Sequence, residues 1–324
     1  MTGAPPATVR GALAALVPIA AVVAFGFVAN NYLLQAGTTL AMSVVLCLAW
    51  NIVGGYMGYP SFATAALFGL GAYVGAITQN LDAPLALAWL AAAVGGAGFA
   101  GPLGSILLRL RGHYFAIGTI AVVEVMREIA NNWDGLTGGA VGLNVPIVAG
   151  SPRAVGIFFY LAMWTLALIA LVVTVVIANS RFGFGLRCIR QNENAASMVG
   201  IDVFRLKVGA FVVSGVITAL AGAVYASMVA FIEPKDAFNI LTSIEVPVMV
   251  MLGAAGTVLG PLVGACLYVL LKELVWVNFI NFHSAILGII IIAVIYAVPK
   301  GVLRQLHPAR WPRLLLPRLR VRGS

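Results

Sequence analysis

The sequence predicts an all-α, polytopic integral membrane protein, and two observations carry this prediction. Of its 324 residues, 62% are hydrophobic and only 9% are charged, with a mean hydropathy of +1.04. A soluble domain of this size has about 25% charged residues. The charges also leave long apolar windows between them, such as 11–81 and 246–271. Because a spanning helix needs about 20 apolar residues, these windows hold many spans and leave no room for a sizeable soluble domain.

The apolar windows divide into successive predicted helices. We place nine of them at residues 11–29, 33–53 (after a turn at 30–32), 61–79, 85–108, 113–132, 155–179, 208–231, 258–276 and 284–299. A further apolar run at 246–256 is too short to span the membrane unless it borrows flanking residues. The sequence therefore predicts about ten crossings, or about eight if 245–276 forms a re-entrant pair.

Glycine-rich interruptions occur in both halves of the chain. The segment 54–60 breaks one apolar run, the segment 253–261 breaks another, and each precedes a Gly-rich helix. Paired broken segments are typical of transporters built from structural repeats, although ordinary Gly-rich helix packing gives the same pattern. In the span 61–79, we expect Gly69, Gly71 and Gly75 to form a small face for close helix packing.

The longest charge-rich stretch inside the apolar chain is 181–207, which we call the charged loop. It carries five basic and two acidic residues between two apolar runs, so it must lie in water, on the cytoplasmic side if the positive-inside rule holds. The same rule places residues 1–10 and the basic tail 301–324 in the cytoplasm. Leucines interleaved with the arginines indicate that the tail lies on the membrane surface.

The charged loop is predicted to form short helices. Gly183 and Gly185 suggest a turn, after which Leu186 and Ile189 share one face. Asn192 is expected to cap a second helix, with Glu193 at its positive end. Gly200 is the expected stop of that helix. The sequence thus predicts an exposed basic helix pair suited to binding by a partner.

The predicted span 113–132 is unusual because it contains three charges. Glu124 lies about 16 Å along the helix from His113, near the middle of the membrane, where an ionisable group is costly and must face protein or water. Arg127 and Glu128 are close enough to pair with it. Two interpretations stay open: a polar patch on a translocation path, or an interior ion pair that only fixes helix packing.

The segment 133–154 is rich in Gly and Pro and is predicted to be a non-helical loop. Within it, Thr137, Gly138 and Gly139 suggest a tight backbone feature. They do not form a phosphate-binding loop, because no Lys-Ser/Thr pair follows.

No enzymatic or metal-binding pattern is visible in the sequence. Cys47, Cys188 and Cys266 are far apart and show neither metal-ligand nor disulfide spacing. Nucleotide-binding, hydrolase and metalloprotease motifs are also missing, so we predict neither a cofactor nor an enzymatic activity. The net charge of +9 is concentrated in loops and at the C-terminus, which indicates orientation and lipid contact rather than nucleic-acid binding. The chain therefore has a membrane pathway without an energy source, which another chain would supply.

Four segments resemble one known family, in the same order along about 50–315. Residues 111–143, 181–202 and 253–265 resemble the LivM-type permeases of bacterial branched-chain amino-acid ABC importers, and Ser61–Tyr73 is similar to that family's Ser-rich segment. The family usually carries Gly-His where this chain has Ala63 and Thr64.

The resemblance implies an ABC-importer permease architecture in the bacterial inner membrane. Such permeases pair with a second, LivH-like permease, are driven by two cytoplasmic ATPase subunits, and receive substrate from a periplasmic binding protein. The charged loop would then dock into an ATPase groove, through motif positions Gly185, Arg187, Arg190, Asn192, Glu193, Ala195 and Gly200. The expected path residues are Ser61, Thr64, Glu124, Arg127, Thr137, Gly138 and Gly139.

Two alternatives accompany this hypothesis. The same machinery in related systems moves urea, short amides or aromatic acids, and the binding protein does much of the selection. A stand-alone channel or secondary transporter is the alternative from another class. It would need its own coupling ions or pore, and the sequence lacks the chain of intramembrane carboxylates expected for proton coupling.

Overall fold

The computed structural model describes Gly26, residues 30–278 and Gly288 of the chain. The predicted N-terminus 1–10, the first span apart from Gly26, the final span 284–299 and the basic tail 301–324 lie outside the described residues. The described part is almost entirely helical. Its α-helices are α1 (Asn31–Trp50), α2 (Thr64–Asn80), α3 (Leu85–Leu107), α4 (His113–Asn132), α5 (Asp134–Thr137), α6 (Pro152–Asn179), α7 (Arg181–Gln191), α8 (Glu193–Met198), α9 (Val203–Val229), α10 (Pro234–Ala237), α11 (Ile240–Gly253) and α12 (Gly260–Asn278).

Five helical segments in the described residues are long and apolar enough to cross a membrane. They are Asn31–Met57, Leu85–Leu107, Pro152–Asn179, Val203–Val229 and Pro234–Gly253. These segments fit an all-α membrane protein, while the number of crossings stays a prediction. α4 has the predicted bounds 113–132, because its apolar run is delimited by charged and polar residues on both sides.

The first interruption lies later than predicted. The chain stays helical past Val53 as a π-helical segment, Asn51–Met57, and turns at Gly58, which has a φ of 80°. The glycines explain this extension: a Cβ on Gly54 would lie 2.2 Å from the Trp50 ring, and one on Gly55 would lie 1.9 Å from Asn51 Oδ1. Their missing side chains leave room for Trp50 and Asn51 to fold against the widened turn.

α9 is the central helix and packs between α2 and α3. Its approach to α2 depends on glycine. A Cβ on Gly71 of α2 would lie 2.0 Å from the carbonyl oxygen of Ala219, and one on Gly222 would lie 2.0 Å from that of Phe68. The predicted small face of α2 is thereby confirmed. In lipid, such close van der Waals contact is the main force that joins helices.

The helices share two ends. At one end lies the charged loop, where α9 begins. At the other end, β2 (Phe231–Ile232) follows α9 directly. It pairs with β1 (Leu143–Asn144) in a short antiparallel ribbon. We call these the loop end and the ribbon end. α4 also runs from the loop end to the ribbon end, because Arg111 before it contacts Glu193 and its last turn leads through α5 to β1.

The segment after α4 is more ordered than predicted. Residues 134–137 form the single helical turn α5, and residues 139–141 form a 3-10 turn. Thr137 stabilises α5 because its hydroxyl donates to the carbonyl oxygens of Ala130, at 2.6 Å, and Trp133, at 2.8 Å. The predicted non-helical loop is therefore wrong over these residues.

Candidate functional site

The charged loop folds as two capped helices, α7 and α8. The Ser180 hydroxyl accepts from the Gly183 amide, and Asn192 Oδ1 accepts from the Ala195 amide, each at 3.1 Å. Gly200 follows α8 with a φ of 82°. The predicted cap and stop are confirmed. The predicted turn at Gly183 and Gly185 is wrong, since both lie inside α7.

Glycine at position 183 serves packing rather than turning. A Cβ there would lie 2.0 Å from the carbonyl oxygen of Ile177, the last turn of α6. The residue thus allows α7 to fold back tightly against the helix that precedes it.

One face of α7 points into the protein. Leu186 and Ile189 are buried on it, as predicted. Arg187 donates to the carbonyl oxygen of Ala178 at 3.0 Å, and Arg190 donates to that of Gly55. These hydrogen bonds tie α7 to α6 and to the π-helical segment, while Arg187 stays partly exposed and Arg190 exposed.

The two glycine-rich interruptions meet beside Arg190. Asn51 in the π-helical segment is fully buried, and its amide accepts from the Gly256 amide at 2.8 Å and donates to the Thr257 carbonyl oxygen at 2.9 Å. The Arg190 guanidinium also approaches Gly256, where a Cβ would lie 2.5 Å from its Nη1. The two glycine-rich interruptions are thus connected through the Asn51 side chain.

A second joint connects α8 to the helices, through a buried ion cluster of Lys207, Glu193 and Tyr59. The Lys207 side chain is only 3% exposed, and its Nζ lies 2.8 Å from Glu193 Oε1. Lys207 also donates to the Tyr59 hydroxyl at 2.7 Å and to the Leu108 carbonyl oxygen at 3.3 Å. The Tyr59 hydroxyl donates in turn to Glu193 Oε2 at 2.5 Å. The cluster therefore joins four separate parts of the chain.

Glu193 stays ionised at neutral pH within this cluster. Partial burial by itself raises the pKa of its carboxyl group, but the hydrogen bonds from Lys207 and Tyr59 and the charges of Lys207 and Arg111 outweigh burial and lower the pKa. Arg111 is peripheral, since its Nη2 lies 3.7 Å from Glu193 Oε1 and its side chain is mostly exposed. The ion pair is therefore present under physiological conditions.

The sequence interpretation missed Lys207 and Tyr59 as site residues, and it gave Glu193 a helix-end role and a place in the docking motif but no ion-pair partner. One signal could have found Lys207: it is the last charge before the apolar run 208–232, so it lies where a helix enters the membrane. A lysine at that position needs either water or a partner.

Three large apolar residues, one each in α7, in α8 and directly after α8, are exposed among the polar residues of the charged loop. Phe184, Met198 and Val199 are exposed, Met198 to 82% and Val199 to 75%. We call these three residues the outer face. Large apolar side chains exposed on a water-facing segment indicate a surface that another protein covers.

The charges of α4 form a different kind of group. Arg127 Nη2 lies 2.5 Å from Glu124 Oε2 and 3.8 Å from Glu128 Oε1, so the predicted pairing of Arg127 with Glu124 is confirmed, whereas Glu128 contacts Arg127 and not Glu124. The side chains are partly exposed, 34% for Arg127 and 38% for Glu124. Because α4 extends from the loop end to the ribbon end, Glu124 lies a little past its middle, and Arg127 and Glu128 lie one turn nearer the ribbon end.

The other predicted path residues are placed elsewhere. Ser61 and Thr64 are buried at the start of α2, where the Ser61 carbonyl oxygen accepts from Trp50 Nε1 at 2.6 Å. Thr137, Gly138 and Gly139 lie at the ribbon end, and both glycines have positive φ. The structure thus brings the charged-loop residues together at one end and leaves the predicted path residues in three separate places.

Taken together, these features define an α-helical membrane protein: apolar helices run between two ends, and polar side chains form joints between helices. The sequence matches the family described as the permease component of the branched-chain amino acid transport system over residues 32–295, and the chain belongs to this family. Its function is that of a permease subunit of an ABC importer.

Curated relatives agree with this assignment. The chain is 27% identical to the high-affinity branched-chain amino acid transport system permease protein LivM of Salmonella typhimurium, and 26% identical to that of Escherichia coli, each over 93% of this chain and 77% of the relative. It is also 25% identical to the autoinducer 2 import system permease protein LsrC of Yersinia enterocolitica, over 97% of this chain and 91% of that protein. No solved structure matches the chain.

Proposed function

We propose that the chain is the LivM-like half of an importer for branched-chain amino acids, and that it forms the translocation path with a second, LivH-like permease. Two ATPase subunits drive the machine, and a periplasmic binding protein delivers the solute. The observation that carries this proposal is the capped helix pair α7–α8, whose outer face is apolar and whose inner face is tied to the interrupted helices. The match to LivM relatives over most of the chain supports the choice of solute.

The outer face is the part of the charged loop that docks onto an ATPase subunit. Phe184, Met198 and Val199 are accessible and apolar, which suits burial in a groove. Arg187 and Arg190, in contrast, already donate to backbone carbonyl groups of the permease. Their part in the proposal is to seat the loop on the helices, so that movement of the docked face reaches them.

The charged patch of α4 borders the path. An ionisable group midway along a membrane helix is costly in lipid, and it faces protein or water instead. Glu124, Arg127 and Glu128 are partly exposed on this subunit. Their face therefore points toward the second permease and the water-filled space between the two subunits. A paired carboxylate and guanidinium also match the two charges of a zwitterionic amino acid.

The proposed topology has both termini in the cytoplasm of a bacterium and about ten crossings of its inner membrane, which keeps the basic segments on the cytoplasmic side. The loop end is then cytoplasmic and the ribbon end periplasmic.

One observation favours a second candidate solute. The match to the LsrC relative covers nearly the whole chain, so an autoinducer 2 type of solute is the alternative, beside urea, short amides and aromatic acids. A stand-alone transporter has less support, because the capped loop and its apolar outer face would then have no partner.

The experiment that tests the proposal is co-purification of the tagged, detergent-solubilised chain with its ATPase subunits, followed by an assay of ATP hydrolysis. We expect Met198→Asp and Val199→Asp to abolish co-purification, because each places a charge in the docked apolar face. Ile147→Asp is the matched control, since Ile147 is equally exposed but lies near the ribbon end. A monodisperse wild-type chain without ATPase subunits that still moves leucine in liposomes would contradict the proposal.

A further inference from the structure

Lys207 is a buried cation that cannot meet a partner protein. Its side chain is 3% exposed, and all its contacts are internal: Glu193 at the start of α8, Tyr59 before α2, and Leu108 just after α3. Its ammonium group also lies 4.4 Å from the centre of the Tyr59 ring. Because burial of an unpaired charge is costly, the Lys207 ammonium group stays buried only while its three contacts hold.

α8 has few other attachments to the protein. Ala196 is the only buried residue among its six, and Met198 at its end is mostly exposed. Two cavities flank Glu193, with volumes of about 270 and 290 Å³, and both are lined by Arg111, Glu193 and Asn194. α8 therefore has little apolar packing beside these cavities, and the ion cluster supplies its side-chain contacts with distant parts of the chain.

We propose that Lys207, Glu193 and Tyr59 are positioning residues that make α8 and the loop end of α9 move as one body. When the docked outer face is displaced, the cluster transmits the displacement to α9, to the end of α3 and to the segment before α2. This inference rests on the proposed function, since it supposes that ATPase subunits move the loop.

The geometry fits such a role for two reasons. α9 packs against both α2 and α3, so a tilt at its loop end changes the contacts of three helices. The cluster also fixes both the orientation of α8 and its distance from α9, because its hydrogen bonds use both carboxylate oxygens of Glu193. A purely apolar contact beside two cavities would let α8 slide without moving α9.

The test uses the complete importer in liposomes and measures solute moved per ATP hydrolysed. We expect Lys207→Met to keep co-purification and ATP hydrolysis close to wild type, while solute moved per ATP falls about tenfold or more, within the range of coupling between linked sites. Tyr59→Phe removes one hydroxyl and should give a smaller loss in the same ratio. The matched control is Arg205→Met, a basic residue on the same helix whose side chain is 87% exposed.

Several outcomes would overturn the inference. Wild-type solute per ATP in Lys207→Met would show that α8 acts on the helices without the cluster, and lost co-purification in that variant alone would make the cluster part of docking. If Lys207→Met cannot be purified, Tyr59→Phe decides, and an unchanged ratio there overturns the inference. Lack of ATPase subunits with the wild-type chain is a separate result, which defeats the proposed function.

Discussion

Two ion pairs of the described residues, Lys207–Glu193 and Arg127–Glu124, each join a cation to a carboxylate but lie in opposite settings. Lys207 and Glu193 belong to different helices, and Lys207 is nearly inaccessible. Arg127 and Glu124 are one turn apart on α4, and each keeps about a third of its side chain exposed. The first pair therefore fixes how parts of the chain sit relative to one another. The second pair fixes nothing beyond its own helix and stays available to whatever covers that face.

This difference shows that a charged residue in or next to an apolar run can have different structural roles. What decides its role is whether its partner comes from the same helix or from a distant segment.

The largest effect is expected for Glu193→Ala, which leaves the Lys207 cation buried without its carboxylate. Removing one member of a buried pair costs about 3–5 kcal/mol of the free energy of unfolding. Thermal unfolding of the purified chain in detergent measures this loss. Glu124→Ala is the control, because its partly exposed pair should contribute at most about 1 kcal/mol. Equal losses in both variants would contradict the distinction between the pairs.

A second, smaller effect is expected on combining variants. Lys207→Met alone should cost less than Glu193→Ala, because the carboxylate it leaves behind still accepts from Tyr59 and is 21% exposed to water. In the double variant the unpaired cation is gone, so part of the lost stability should return. A double-mutant cycle on unfolding measures this interaction, with about 0.5–3 kcal/mol expected. Additive losses would mean that the two residues do not stabilise each other.

The third prediction concerns pH. Because the folded protein lowers the pKa of Glu193 from its ordinary 4.5, the cluster adds stability above that pH and loses it as the pH falls through the lowered value. The difference in melting temperature between wild type and Glu193→Gln should therefore be constant from about pH 8 to pH 5 and shrink below about pH 4.5. A difference that grows on acidification would have the wrong sign for an ionised carboxylate.

The smallest effect on stability is expected for Arg127→Met, within about 1 kcal/mol, because its pair is local and partly solvated. Leucine uptake by the assembled importer should nevertheless fall, since the patch borders the proposed path. Uptake in liposomes and thermal unfolding, measured on the same preparation, separate the two roles. Unchanged uptake would favour the interpretation that this ion pair only fixes helix packing.

Much of the fold could be predicted from the sequence, and the reason is visible in α4. Its apolar run is bounded by His113 and by the Asn131–Asn132 pair, so composition alone fixes the helix. The caps of the charged loop could also be predicted, because Asn192 and the amide it accepts from are three residues apart.

The joints between helices could not be predicted, because their partners are far apart in the chain. Asn51 contacts Gly256 and Thr257, and Tyr59 contacts Lys207, contacts that no local pattern encodes. That Arg190 reaches back to the π-helical segment could have been found. Arg190 follows Leu186 by four residues, which places both on one face of α7.

The ion cluster also has a consequence for how the protein is made. Tyr59, Leu108 and Glu193 all precede Lys207 in the chain. During synthesis the ribosome therefore releases every acceptor of the ammonium group before the lysine itself emerges. Until then Glu193 lacks its cation and α8 has little to hold it. The charged loop can take its final shape only when α9 begins to enter the membrane. Lys207, the last of these residues to be synthesised, then fixes the positions of Tyr59, Leu108 and Glu193.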